Sequence, residues 1–225
     1  MKTNCFHKIV HILNPIIEKD LMEEIDRINL NSIRMIALFM GIIEIAGLIP
    51  MLLGLEKLPH FTRSLISVMI CIIICVVVFT VSTIVRKKHR FSHAGVAFFL
   101  TSSVVVLVNW GIYVSYMHYR DSDQIITFYT VVVICICFIT MKPYISALLV
   151  SVSFTAFFLL LYYFDQAVSV QTFNYITFCI LCIAGAWARW QVIVSQLIAK
   201  REIRHLNEML QQDVRNVSNE IILNP

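Results

Sequence analysis

Charge is scarce in this chain. Only 14% of its 225 residues are Asp, Glu, Lys or Arg, against about 25% in a typical soluble domain. That shortage excludes a soluble fold of this size, which needs more polar surface. Glycine (6) and proline (5) are also few, so low-complexity and disordered segments are excluded as major parts. No apolar segment alternates with period two, which excludes a membrane β-barrel. There is no glycine-rich phosphate loop, no nucleophile elbow and no zinc-protease motif, so no catalytic residue is assigned. A cleavable leader is not expected, because Glu18, Asp20, Glu23, Glu24 and Asp26 precede any long apolar run.

Apolar side chains are abundant instead, at 59% of residues, with a mean hydropathy of +0.80. A bilayer-spanning helix needs about 20 mostly apolar residues, and several such runs follow one another. The expected spans are 33–55, 65–85, 94–117, 124–141, 143–164 and 167–190. An unpaired backbone in hydrocarbon is costly, and helices satisfy theirs internally. The expected fold is therefore all-α, a polytopic membrane bundle of about six transmembrane helices (residues 33–190). It is preceded by an interfacial segment (1–32) and followed by a cytoplasmic helix (191–225). Within the first segment, Asn14 and Pro15 suit a helix start. Ile17, Leu21, Ile25 and Ile28 recur at helical spacing, predicting a short helix over about 15–30 on the membrane surface or against the bundle. Asn31 and Ser32 are expected to break it and cap the next span.

Lys and Arg set the orientation. Fifteen of the 18 fall on the side shared by both termini, and only Lys57, Arg63 and Arg120 on the other. The N- and C-termini are thus expected in the cytoplasm and the bundle in the inner (plasma) membrane. The net charge of +4 is this topology signal and needs no nucleic-acid partner.

Seven cysteines are present, all but Cys5 inside apolar runs. Their odd number and spacing do not make a disulfide framework. Cys71 with Cys75, and Cys179 with Cys182, are read as apolar packing. The pairs His7/His11 and His89/His93 have a spacing that can hold a metal. Neither pair encloses the Glu of an H-E-x-x-H motif, and both lie in basic segments, so they are read as solvated or facing lipid headgroups. No metal and no cofactor is expected.

Glu44 lies near the middle of the first span, where a carboxylate costs on the order of 2.5–3.5 kcal/mol. It is either a proton-linked or ligand-sensing group, or a protonated side chain bonded to a neighbouring helix. Pro50 follows it and is expected to kink the helix. Asn109 is the other strongly polar residue deep in a span. Together with Tyr113, Asn174 and Glu44 it makes the set of ligand-sensing candidates. For the tyrosines and nearby aromatics, an interfacial belt is the plainer account.

Beyond Trp190 the helical pattern continues. Ile203, Leu206, Leu210, Val214, Val217 and Ile221 recur in steps of three and four, a coiled-coil seam with one stutter. The last span is therefore expected to run into a helix that pairs with a second copy, making a homodimer and a signal relay.

A compact membrane region continuing through a basic helix into a coiled coil resembles the N-terminal sensor half of bacterial signalling proteins. The stretch Lys200-Arg-Glu-Ile-Arg-His-Leu-Asn-Glu-Met-Leu210 looks like the linker before the cyclase domain of membrane diguanylate cyclases. Similar linkers precede histidine kinase and phosphodiesterase domains. The cyclase's Gly-Gly-(Asp/Glu)-Glu-Phe signature and a kinase's phospho-acceptor box are absent here, so the output domain is expected beyond residue 225 or on a separate chain. The alternative is a small transporter or channel with Glu44 on its pathway.

Overall fold

The structure is a computed structural model that describes residues 19–53, 61–88, 92–122, 126–165 and 171–223. Six helices account for all secondary structure among the described residues: α1 (Lys19–Leu52), α2 (Phe61–Lys88), α3 (His93–Ser122), α4 (Ile126–Phe138), α5 (Pro143–Asp165) and α6 (Gln171–Leu223). There is no strand among them. Five, α1, α2, α3, α5 and α6, are long and apolar enough to cross a membrane. The protein is therefore compatible with a multi-pass membrane protein.

The packing is that of a bundle made for an apolar solvent. A continuous core links all six helices through small and branched side chains, among them Ile33, Cys71, Leu107, Val132 and Val150. Outward-facing residues are also apolar: Ile43 is 65% exposed, Phe98 75% and Leu148 66%. In water, so many exposed large side chains would aggregate; against lipid tails they are at home. Cys71, Cys75 and Cys182 are buried in the core, as expected of small apolar fillers. Gly41 lets α1 approach α2 closely, since a Cβ there would stand 3.4 Å from Cys75 Cβ.

Two expectations need correction. The surface helix and the first span are one helix, because α1 runs unbroken through Asn31 and Ser32. A break there would need the Asn31 side chain to turn back on its own backbone. It instead accepts from Arg34 at 2.9 Å and from Arg86 of α2 at 3.2 Å. The polar first turns of α1 pack against α6, where Leu21 and Ile25 meet Trp190 and Leu197. The proposed start at residues 15–18 lies outside the described residues.

The second correction concerns the fourth span. Its helix covers only 13 residues, Ile126–Phe138, about 20 Å at 1.5 Å per residue. Hydrocarbon is about 30 Å thick. Residues 139–142 are unwound. Pro143 causes this, because it cannot donate to the Ile139 carbonyl and it disfavours a helical Lys142.

Aromatic side chains fill the space between α4, α5 and α6. Phe128 packs at a tilt against Phe157, ring centroids 4.5 Å apart, and Tyr129 meets Phe178 edge-on at 4.4 Å. Tyr175 closes the group and is buried. Tyr129 and Tyr175 thus belong to an internal cluster rather than to a belt.

Candidate functional site

The chain alternates direction, so the bundle has a stem end, from which α6 projects, and an opposite far end. Polar groups collect at both. At the stem end the unwound residues after α4 need partners, because buried backbone groups left unpaired are costly. Asn29 of α1 supplies two. Its Nδ2 donates to the Thr140 carbonyl and its Oδ1 accepts from the Thr140 N–H, each at 2.7 Å. Arg189 of α6 donates to the Phe138 carbonyl at 3.0 Å. The last turn of α4 is therefore held by one helix on each side.

One turn before Asn29, Asp26 Oδ2 lies 2.6 Å from His93 Nδ1, at the first residue of α3. Burial pushes the Asp26 carboxyl above the ordinary carboxylate range, and the bond to His93 only partly opposes it. His93 is therefore not simply a solvated histidine. These residues, with Thr101, Lys142, Tyr144 and Trp190, line a cavity of about 200 Å³. Thr140, which also lines the cavity, has its Oγ1 buried without a partner. Beyond the cavity, Lys200 reaches Glu24 at 3.1 Å and Arg201 stands 3.9 Å from Asp20, tying the start of α1 to α6.

Glu44 belongs to the far end. It lines a cavity of about 270 Å³ with Met51, Ser64, Ser67, Trp110, His118 and Thr127. No hydrogen bond or ion pair reaches its carboxylate among the described residues. Trp110 donates its indole N–H to the Ser67 carbonyl at 3.2 Å, fixing one wall.

The remaining sensing candidates are not in this cavity. Asn109 faces outward on α3 and bonds the Val105 carbonyl of its own helix at 2.8 Å. Tyr113 and Asn174 are likewise exposed. The relay candidates stand free on the projecting part of α6: Ile203, Leu206, Leu210 and Val214 are each more than half exposed. Val217 continues the same helix. Sequence reasoning set His93 aside as solvated and did not pick out Asp26, Asn29, Thr140, Ser67 or His118 as site residues. The one usable signal was Asn29, a polar residue on the apolar Ile25/Ile33 face of α1. Among the described residues no group of three metal-ligating side chains comes together.

Compared with protein-family models, with curated proteins and with solved structures, the chain matches none.

Proposed function

We propose that this chain is the membrane-embedded input module of a bacterial signal-transduction protein. It sits in the inner membrane with both termini in the cytoplasm and passes a signal through α6 to a cytoplasmic output domain. The linker-like stretch 200–210 favours a diguanylate cyclase as that output, with a histidine kinase or phosphodiesterase as the other candidates. The observation that carries this reading is α6 itself, one uninterrupted helix of 53 residues. Its first half packs into the bundle through Tyr175, Cys182 and Ala186. Its second half presents an apolar stripe at coiled-coil spacing, with Ile203, Leu206, Leu210 and Val214 uncovered by the described residues. A helix continuous from core to cytoplasm transmits rotation or tilt, and the stutter supplies two packings of similar energy. A second copy of this chain is the partner for the stripe, giving a homodimer.

The test is disulfide crosslinking in native membranes of Ile203→Cys, Leu206→Cys, Leu210→Cys and Val214→Cys, with Arg204→Cys and Gln211→Cys as flanking controls. Crosslinks confined to the stripe support the relay; equal crosslinking at all six positions rejects it.

A second reading, a small transporter or channel, draws support from the polar cavities at opposite ends of the bundle. Proton or solute flux in liposomes that disappears in Glu44→Gln would establish it; flux-free vesicles would rule it out.

A further inference from the structure

The far-end cavity combines features that a packing defect does not. Its carboxylate, Glu44, has no hydrogen-bond or ion-pair partner among the described residues. Its hydroxyl, Ser67 Oγ, is fully buried and also without a partner. The second point is unusual in this bundle. Ser82, Ser103, Thr130, Ser153 and Thr155 all donate to a carbonyl one turn back on their own helix. Ser67 is 5% exposed and makes no such bond. A buried hydroxyl left unpaired costs about 1–3 kcal/mol, and the half-buried Glu44 carboxylate adds to that cost while it has no partner. The remaining walls combine the polar side chains of Ser64, His118 and Thr127 with an apolar and aromatic side formed by Met51, Val68, Trp110, Val114 and Met117.

We propose that this cavity binds a small organic cation: an ammonium group on an apolar body. Glu44 supplies the counter-charge, and Ser67 takes a hydrogen bond from the ammonium. The indole of Trp110, held by its own bond to the Ser67 carbonyl, offers a wall suited to cations. The methionines and valines cover the apolar body. A site of about 270 Å³ suits a molecule of one ring and a short chain. The Glu44 carboxylate disfavours an anion, and the lack of a third ligating side chain among the described residues disfavours a metal ion. The inference extends the sensor reading by naming a ligand class, but binding is measured without any output. Its failure is therefore separate from failure of the relay.

The experiment uses the full chain in lipid nanodiscs and radiolabelled phenethylammonium, read as saturable binding by scintillation proximity. Unlabelled 2-phenylethanol and phenylacetate serve as neutral and anionic competitors. Saturable binding is expected, displaced by unlabelled phenethylammonium and not by either competitor at equal concentration. Glu44→Gln should weaken it about tenfold or more, and Ser67→Ala several-fold. Both substitutions remove a desolvation cost, so both variants should fold; Glu44→Gln should match the parent in size-exclusion profile. The inference is overturned if only unsaturable partition into lipid is seen, if 2-phenylethanol competes equally, or if Glu44→Gln binds as tightly as the parent. The last outcome would leave Glu44 as a proton site only.

Discussion

Asn29 and Thr140, 111 residues apart in the chain, exchange two hydrogen bonds of 2.7 Å through one side-chain amide. The pair replaces the helical bonds that the Thr140 backbone forgoes. Removing the amide strands a buried donor and a buried acceptor at once.

Asn29→Ala should therefore be costly, on the order of 2–4 kcal/mol for two unsatisfied backbone groups. At about 2–4 °C per kcal/mol, the Tm in detergent should fall by roughly 5 °C or more. Thermal-shift size-exclusion chromatography reads this directly. A change of about 1 °C or less would mean that water takes over both bonds.

Asp26 gives a pH dependence of definite sign. Burial raises its native pKa, so the folded state holds the proton more tightly than the unfolded chain does. Ionising it costs stability; the cost is absent below the ordinary carboxylate range and complete once pH exceeds the raised native value. Glu23 adds to the shift, and His93 opposes it. Asp26→Asn keeps a hydrogen-bonding group for His93 and removes the cost. The variant should melt higher than the parent at about pH 7.5, with the difference shrinking towards about pH 4.5. A parent more stable than the variant at the higher pH would show that the His93 contact outweighs burial.

The start of α1 is held to α6 by apolar packing more than by charge. Trp190 is 2% exposed and lies between Leu21, Ile25 and Leu197. Trp190→Ala should cost about 3–5 kcal/mol. Lys200 is 61% exposed on its side chain, so Lys200→Ala should change stability by less than about 1 kcal/mol. Limited proteolysis near residue 20 should rise sharply in the first variant and stay unchanged in the second.

Two helical glycines should respond oppositely to Ala. At Gly111 a Cβ would meet the buried Val131 side chain at 3.3 Å and the Phe128 Cα at 3.5 Å, with no room for a β-branched neighbour to give. Gly111→Ala should lower the Tm. At Gly47 nothing lies within 4 Å, and Gly47→Ala should raise stability by up to about 1 kcal/mol through helix propensity. Equal responses would remove α3–α4 proximity as the reason for Gly111.

The helical bundle was legible in the sequence because runs of apolar residues have few alternatives in lipid. Five long helices follow those runs. The unwound stretch before Pro143 was hidden because hydropathy is blind to backbone conformation, and Ile139 and Thr140 are buried just as a span would be. The unity of α1 was hidden for the opposite reason. Asn31 and Ser32 look like a cap, and only the distant Arg86 shows where the Asn31 oxygen goes. Glu44 drew attention by its own cost, whereas Ser67 and His118 gave no sign of sharing its cavity. Nor could any spacing rule bring Asp26 to His93, 67 positions away.

The brevity of α4 has a mechanical consequence for the surrounding lipid. A bilayer meeting that flank finds about 20 Å of helix where its tails need about 30 Å. Where that flank faces lipid, acyl chains beside Phe138 would tilt or shorten, drawing headgroups towards Lys142. The cost of that dimple rises with bilayer thickness, which makes the flank a gauge of how thick the host membrane is.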